Sequence, residues 1–235
     1  LFNRVLIKNK YRKLLQNFDF ISVRDVWTQK MIRAFSEGSI IPPITPDPVF
    51  SFESNVRPQS SSPLFDEPYV LLSLSKGYYN PDWVKSLEDE FEHVGIKVVG
   101  LPQTNKATES ILKNNLSFPI DPLEWYLLIK NSNGYIGELM HPILVGLHNS
   151  VPVFSFDKYG FVSYGRFLAE SSKTHQILNR FGLLDYYYNS KYSSSHPLPI
   201  DVVQKIMSFN KRSCQEKAQE MKSEYDSMMS QIYEL

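Results

Sequence analysis

The residues best suited to chemistry lie in one short run, where a strand-like pattern changes to a helix-like one. Positions 134–142 read Gly-Tyr-Ile-Gly-Glu-Leu-Met-His-Pro. Gly137 allows a tight turn between the two elements, and Pro142 suits the first turn of a helix, where its missing N–H costs no hydrogen bond. His141 is therefore expected at a helix N-terminus, beside unpaired backbone donors and the positive end of the helix dipole, which together favour an anion.

His141 and its neighbour Glu138 each have two interpretations. A histidine at a helix N-terminus can give or take a proton near neutral pH, but it can equally cap its helix or hydrogen-bond a core carbonyl. Glu138 can orient or activate a hydroxyl group, or it can be a solvated carboxylate that the helix dipole favours. The sequence patterns leave these alternatives open.

Three further candidates follow the next predicted strand. Asp157 and Tyr159 come directly after it, at a carboxyl end where parallel sheets bind ligands, although an ordinary turn that ends at Gly160 explains them as well. Lys173 begins another helix pattern, in Ser-Ser-Lys-Thr, where it can contact a phosphate group. A surface lysine is the commoner explanation for such a residue. We predict all three as binding residues.

Composition and missing motifs exclude several classes of protein. Lys and Arg total 25 and Asp and Glu total 25, so the zero formal charge argues against a nucleic-acid binder that neutralises phosphates. The sequence contains no Gly-x-Gly-x-x-Gly motif, no P-loop and no cluster with metal-ligand spacing. It therefore gives no support for a dinucleotide, nucleotide or metal site. No apolar run approaches the roughly 18 residues that span a bilayer, and the single Cys214 fits a reducing compartment.

The elements that must position the candidate residues alternate between strands and helices. Apolar runs bounded by capping residues predict four strands that are covered on both faces and separated by helices. This order predicts an α/β fold with a parallel, doubly wound, Rossmann-like sheet. The predicted strands are 69–74, 96–100, 134–136 and 151–154, and the predicted helices are 80–93, 121–130 and 140–149.

Composition divides the chain into four parts. Residues 1–50 contain a basic helix, a strand at 20–23 and a helix at 26–36 with Asp25 as its N-cap. This is too little to bury a core, so we predict the tail end of an N-terminal α/β domain that is only partly present. Residues 51–68, rich in Ser, Pro and Asn, predict a linker or surface loop. Residues 69–198 predict the Rossmann-like domain, and residues 199–235 predict a long amphipathic helix with a break.

Two stretches of the sequence carry a family resemblance. Val-Arg-Asp at 23–25 is followed by Pro-Asp-Pro at 46–48, and the run 121–160 contains the turn and helix start described above. Together they resemble the polysaccharide pyruvyl transferase family of bacterial exopolysaccharide and capsule synthesis. The resemblance covers residues 19–184. It implies a two-domain, GT-B-like transferase that moves an enolpyruvyl unit from phosphoenolpyruvate onto a sugar, as a cyclic ketal on two hydroxyls.

The resemblance also implies roles for single residues. His141 matches the histidine of the family's Arg-x-His pattern, which makes it the catalytic acid/base. Arg24 matches the arginine of the family's Val-Arg-Asp/Glu pattern and is implied to bind the donor. This chain departs from the pattern at Leu139, where the family usually has a donor-binding arginine. Their positions at strand ends and helix starts, rather than the resemblance, assign the other roles: catalysis for Glu138, donor binding for Gly137 and Lys173, and acceptor binding for Asp157 and Tyr159.

The implied partners are small molecules and glycans. The donor is phosphoenolpyruvate, without a cofactor or a metal, and the acceptor is a sugar of a cell-surface polysaccharide or of its lipid-linked precursor. These partners imply a cytoplasmic protein, with peripheral contact at the inner membrane face where the acceptor is lipid-linked. Two alternatives remain open. One is a nucleotide-sugar glycosyltransferase of the same fold, for which no Glu-x7-Glu arrangement is evident; the other is a non-catalytic glycan-binding relative, which Leu139 favours.

Overall fold

The computed structural model describes residues 10–53, 65–75, 80–102, 111–117, 119–163, 166–193 and 195–234. The chain divides into two compact units, a smaller one of Leu1–Phe52 with Gln219–Leu235 and a larger one of Glu53–Ala218. The domain boundaries drawn from composition stay a prediction, because residues 54–64 of the predicted linker lie outside the described residues.

The smaller unit contains helix α1, Val26–Phe35, which begins where the sequence predicts. The Asp25 carboxylate caps it by accepting hydrogen bonds from the backbone N–H of Thr28 at 2.7 Å and from the Thr28 hydroxyl at 2.8 Å. None of the α1 residues is buried. The unit also contains helical residues 10–15 and a single 3₁₀ turn, Pro48–Ser51, whose Phe50 is fully buried.

The strand predicted at 20–23 is wrong. In the described part of this segment, Val23 alone makes a β-bridge, a parallel one with Ile44. The Val23 N–H donates to Pro43 O at 3.0 Å, and Thr45 N–H donates to Val23 O at 2.8 Å. The facing segment, 41–48, is rich in proline, which lacks the N–H that a longer ladder needs. The pairing therefore ends after one bridge.

The larger unit is built on a six-stranded sheet in which every neighbouring pair of strands is parallel. This confirms the predicted α/β fold with a Rossmann-like parallel sheet. Four of the strands correspond to the four predicted ones. In spatial order the strands are β3 (Asn114–Asn115), β2 (Lys97–Gly100), β1 (Tyr69–Ser73), β4 (Gly134–Gly137), β5 (Val153–Asp157) and β8 (Tyr187–Asn189), and a separate antiparallel pair consists of β6 (Phe161–Ser163) and β7 (Arg166–Leu168).

The helices of the larger unit begin close to their predicted starts. Asn80 and Asp121 cap the two helices that follow them, each of which has proline at its first position. The break predicted in the C-terminal helix falls at residues 208–210. No helix in the described ranges is long and apolar enough to cross a membrane. The bounds are α2 Pro81–His93, α3 Pro122–Lys130, α4 Met140–His148, α5 Lys173–Arg180, α6 Pro199–Met207 and α7 Lys211–Tyr233, of which the residues from Gln219 onward belong to the smaller unit.

Helices cover both faces of the sheet, as the doubly wound prediction requires. On one face, apolar side chains of α2 and α6 share a core with those of β1, β2, β4 and β5. On the other face, the Tyr69 hydroxyl of β1 donates to Leu128 O of α3 at 2.7 Å. Gly146 of α4 packs so closely on β5 that an added Cβ would lie 2.7 Å from Val153 Cγ1. The elements therefore interlock in three layers.

Some strands differ from the prediction in position or were not predicted. The fourth predicted strand, 151–154, is observed as β5, Val153–Asp157. It begins later because the Val151 N–H donates to Gly146 O at 2.9 Å and so closes the end of α4, while Pro152 has no N–H to give to a ladder. Strands β3 and β8 at the sheet edges were not predicted, nor was the β6–β7 pair. All four have three residues or fewer.

The strand order contains a point where the chain reverses its direction of travel across the sheet. From β1 the chain moves to β2 on one side, whereas β4 returns to the other side of β1 and leads on to β5. At such a reversal the connections that leave the two strands diverge and open a crevice at their carboxyl ends, where parallel sheets bind ligands. We call the carboxyl ends of β1 and β4, residues 73–75 and 137–141, the switch point.

Candidate functional site

Three backbone and side-chain contacts join the two strands at the switch point. Ser73 of β1 lies in register with Gly137 of β4. The next residue, Glu138, donates its N–H to Ser73 O at 3.2 Å, and its carboxylate accepts a hydrogen bond from the Ser75 N–H at 2.8 Å. Glu138 is partly buried. One carboxylate oxygen of this predicted catalytic residue therefore holds the turn after β4 against the end of β1.

Tyr135 fills the space beneath the turn. Its side chain is fully buried, and its hydroxyl accepts a hydrogen bond from the Leu139 N–H at 3.3 Å and hydrogen-bonds the Ser73 side chain. Burial raises the pKa of the Tyr135 phenol, so the hydroxyl stays protonated. Gly137 makes room for it, because an added Cβ would collide with that hydroxyl and lie 2.6 Å from Ser73 O. Glycine is thus required here for close packing.

His141 lies at the start of α4, as predicted. It is the second residue of the helix, and its side chain is exposed. The N-cap residue is Leu139, which has no side-chain group to accept from the first-turn N–H groups. Leu139 is itself 38% exposed. The mouth of α4 thus presents an imidazole and a helix N-terminus, and an apolar side chain occupies the place of the family's arginine.

Asp157 occupies a different environment at the end of β5. It is 2% exposed, and its carboxylate accepts four hydrogen bonds. The donors are the backbone N–H groups of Lys158 at 2.7 Å and Tyr159 at 2.8 Å, together with the hydroxyls of Ser172 and of Tyr187. Contact of this carboxylate with a sugar would require that network to open. The arrangement identifies Asp157 as a residue that joins β5 to α5 and β8.

Tyr159 and Lys173 flank Asp157. The Tyr159 side chain is 62% exposed, and its backbone is held by Asp157 and by Asn189, whose side-chain amide donates to Tyr159 O at 3.0 Å. Lys173 is the exposed first residue of α5, directly after Ser172. Two predicted binding residues thus present exposed side chains next to Asp157, and the Lys158 ammonium lies 5.9 Å from the centroid of the Tyr159 ring.

Arg24 belongs to the smaller unit. Its guanidinium forms an ion pair with the Asp47 carboxylate, which also accepts a hydrogen bond from the Val49 N–H at 3.2 Å. The Arg24 side chain is partly exposed and that of Asp47 is mostly buried. The two family-like motifs, Val-Arg-Asp and Pro-Asp-Pro, are therefore joined by an ion pair. Its role in donor binding stays a prediction.

The structure brings the predicted residues of the larger unit to one edge of the sheet. Gly137, Glu138 and His141 lie at the end of β4, and Asp157 and Tyr159 follow its neighbour β5. Among the described side chains, no group of three or more His, Cys, Asp or Glu residues is placed to hold a metal ion. Sequence reasoning did not find the residues that organise this edge, which are Ser73, Ser75, Tyr135, Ser172 and Tyr187.

Solved structures similar to this chain include glycosyltransferases, and the chain spans about half their length. Os79 from O. sativa, in complex with U2F and trichothecene, is 12% identical, with 93% of this chain and 55% of that chain covered and a TM-score of 0.53. Phytolacca americana UGT2, complexed with UDP-2fluoro-glucose and pterostilbene, is 14% identical, with 92% and 54% covered and a TM-score of 0.49. The likeness to Os79 supports the predicted GT-B-like fold.

Sequence comparison identifies the family. No curated protein matches the chain. The sequence model described as polysaccharide pyruvyl transferase matches residues 2–157, which include both motifs of the predicted resemblance and the whole switch point. The match covers more than half of the 235 residues. The chain therefore belongs to the polysaccharide pyruvyl transferase family.

Proposed function

We propose that this protein transfers a pyruvyl group from phosphoenolpyruvate to a sugar of a cell-surface polysaccharide or of its lipid-linked precursor. The observation that carries the proposal is the exposed His141 in the first turn of α4, at the switch point of the sheet. Membership of the pyruvyl transferase family supports the choice of reaction. The donor, the acceptor and the cytoplasmic location all belong to this proposal.

His141 is the proposed general acid/base. Protonation of the donor's methylene carbon gives an oxocarbenium-like centre, which a sugar hydroxyl attacks as it loses its proton. Cleavage of the C–O bond to phosphate regenerates that centre, and a second hydroxyl attacks it to close the ketal. Of the two hydroxyl protons, one balances the proton taken up by carbon and the other leaves with inorganic phosphate. A proton-carrying group beside the reacting carbon is needed at each step.

Charge stabilisation is proposed to come from the helix rather than from a nearby guanidinium. The N-terminus of α4 offers backbone N–H groups and the positive end of a helix dipole to the donor's anionic groups. Leu139 contributes no cation, so we expect weaker donor binding than an arginine at this place would provide. Lys173 is the proposed second phosphate contact, and Arg24 is retained as a donor-binding residue on the family resemblance alone.

Acceptor binding is proposed for the outer part of the same edge. The exposed ring of Tyr159 can stack against a sugar, since aromatic rings offer large apolar faces. Glu138 has one carboxylate oxygen engaged by Ser75, and the other is proposed to orient a sugar hydroxyl. Asp157 is proposed to act through the position of Tyr159, whose N–H it binds.

The test is a transfer assay with purified protein. Phosphoenolpyruvate and a panel of UDP- and GDP-sugars are offered separately with lipid-linked glycans, and products are followed by phosphate release and by mass spectrometry of the glycan. We expect phosphate release and a glycan that has gained one pyruvate ketal, with phosphoenolpyruvate only. Transfer from a nucleotide-sugar alone would establish the glycosyltransferase alternative, and glycan binding without transfer would establish the non-catalytic one.

A single substitution tests the role of His141. His141→Ala is expected to lower the rate of ketal formation by about 10²–10⁴-fold, the usual contribution of a general acid/base. The matched control is His93→Ala, because His93 is an exposed histidine at the last position of α2, and α2 runs away from the carboxyl edge of the sheet. Full activity in His141→Ala, with the wild type active, would remove His141 from the mechanism.

A further inference from the structure

Tyr135, beneath the switch point, does more than fill the core. It is the largest of the fully buried side chains, yet its hydroxyl points at the turn that leads into α4. It accepts the N–H of Leu139, the N-cap residue, at 3.3 Å. Helices are normally capped by a side-chain oxygen of the N-cap residue itself, and a leucine has none. The Tyr135 hydroxyl thus reaches the cap residue from the strand below.

The same hydroxyl joins three separate elements. Tyr135 belongs to β4. Its hydroxyl hydrogen-bonds Ser73, the last residue of β1, and Leu139, the N-cap residue of α4. Gly137 is shaped around this arrangement, since an added Cβ would collide with the hydroxyl. The second link between the same elements is the Glu138 carboxylate on the Ser75 N–H. Together with the Glu138 N–H, which donates to Ser73 O at 3.2 Å, these contacts attach the turn that carries His141 to the end of β1 at three points.

We infer that Tyr135 is a positioning residue, which holds the Leu139 N–H and thereby sets the orientation of the α4 N-terminus and of His141. The inference rests on the proposed function for its catalytic consequence. Its structural part stands on the contacts alone: without the hydroxyl, the Leu139 N–H loses its acceptor, and only the hydrogen bonds of Glu138 still hold the turn before α4. Small displacements of a catalytic group reduce rates strongly, because reacting atoms must meet at close range.

The experiment compares two phenylalanine substitutions on the same helix system. Tyr135→Phe removes the hydroxyl and keeps the buried ring. The matched control is Tyr126→Phe, which removes a hydroxyl that hydrogen-bonds Asn149, the C-cap of α4, at 3.2 Å. Both variants lose a tyrosine hydroxyl that contacts one end of α4, but only the first lies beneath His141. Amide hydrogen exchange by NMR, thermal unfolding and steady-state kinetics are measured for both.

For Tyr135→Phe we expect exchange of the Leu139 amide to rise about tenfold, the equivalent of one lost hydrogen bond. Amides in the middle of α4, such as that of Val145, should be unchanged. The kcat for ketal formation should fall about tenfold, because the hydroxyl sets the position of the catalytic group, and KM for phosphoenolpyruvate should rise as well, because the α4 N-terminus that binds the donor shifts with it. Tyr126→Phe should lower Tm without changing kcat.

Two results overturn the inference. An unchanged Leu139 amide exchange in Tyr135→Phe refutes the structural link, whether or not the protein is active. Unchanged kcat in an active enzyme, with only a lower Tm, shows that Tyr135 serves stability alone. A wild type that forms no ketal refutes the proposed function instead, and in that case the exchange of the Leu139 amide still decides the role of the hydroxyl.

Discussion

Two places along the carboxyl edge of the sheet use their polar residues in opposite ways: the switch point, and the β5–β8 corner formed by Asp157, Ser172 and Tyr187. At the switch point the buried groups, Tyr135 and Ser73, hold a turn, and the titratable His141 is left exposed on top of it. At the corner the titratable group, Asp157, is itself the buried centre, and four donors consume its carboxylate. His141 and Asp157 were both predicted as site residues near the ends of strands, but the structure gives them different roles.

The difference teaches that an acid or base at the end of a parallel strand is not by itself a catalytic candidate. The Asp157 carboxylate, on the last residue of β5, lies among buried N–H and O–H groups that require an acceptor. A histidine placed four residues after the strand, in the first helical turn, stands clear of that layer. Position relative to the turn decides which group is free to act.

The largest expected effect on stability comes from replacing Asp157, and it tests the contrast between the corner and the switch point. Asp157→Ala should lower the free energy of unfolding by about 3 kcal/mol, because it leaves two hydroxyls and two backbone N–H groups without their acceptor. His141→Ala should stay within about 0.5 kcal/mol of wild type, as exposed substitutions do. Urea unfolding measures both.

A control and a contrary outcome complete the Asp157 test. Asp201→Ala removes an exposed carboxylate in the first turn of α6 and should change stability by about 0.5 kcal/mol. If Asp157→Ala is as stable as wild type and loses only acceptor binding, then the corner is a binding site and the contrast with the switch point is wrong.

A middle-sized effect sharpens the comparison at Gly137. Gly137→Ala should cost about 2 kcal/mol, because the new Cβ meets Ser73 O at 2.6 Å as well as the Tyr135 hydroxyl. The double variant with Tyr135→Phe should recover part of this loss, since the hydroxyl, which makes the shortest contact, is gone, although Tyr135 Cζ and Ser73 O both remain 2.6 Å from the added Cβ. A double-mutant cycle on unfolding free energies gives the coupling directly.

The same strand supplies a control for Gly137. At Gly134, the first residue of β4, the shortest contact of an added Cβ would be 3.0 Å, to Ile206 Cγ2, so the neighbour must give by only a few tenths of an ångström. Gly134→Ala should therefore cost less than Gly137→Ala. Equal losses in the two variants, or strict additivity with Tyr135→Phe, would show that the Tyr135–Gly137 fit does not hold the turn.

The smallest expected effect concerns pH and the corner. Burial lowers the pKa of His175 from its model-peptide value of 6.5, although the charges of Glu170 and Asp157 oppose the shift. Below about pH 6.5 this histidine is protonated in the unfolded chain but stays neutral in the folded one. The free energy of unfolding therefore decreases as the pH falls from about 7 through 6.5 towards the lower pKa of the folded state. His175→Phe should reduce that pH dependence.

Unfolding at several pH values between about 5 and 7.5 tests the His175 prediction. A slope that is the same in His175→Phe and wild type would assign the acid sensitivity of the protein to other groups.

Much of the fold could be predicted because its signals are local. Continuous apolar runs indicated the buried strands β1, β2, β4 and β5, and Asp25, Asn80 and Asp121 cap the helices that their patterns predicted. The edge strands β3 and β8 have only two and three residues, too few for a periodic signal. The strand predicted at 20–23 has the right composition but faces a proline-rich segment that cannot pair with it.

The candidate site divides in the same way. The residue types at 137–142 placed His141 at a helix start, because the glycine and proline on either side have local conformational requirements. The residues that hold that helix start were not predicted, since Ser73 and Leu139 are 66 positions apart and the Tyr135 hydroxyl joins them only after β1 and β4 pair. Nothing in the sequence distinguishes Tyr135 from any other aromatic strand residue.

By itself the sequence determined the layered α/β class, the family and the position of an imidazole at the mouth of α4, because capping, turn and strand signals act over a few residues. Tertiary structure alone decided which polar groups remain available. One oxygen of the Glu138 carboxylate accepts a hydrogen bond from the Ser75 N–H. The Asp157 carboxylate accepts four hydrogen bonds, from the residues that follow β5, from Ser172 and from Tyr187. Hydrogen-bond capacity is shared among neighbours in space, and only the folded chain determines those neighbours.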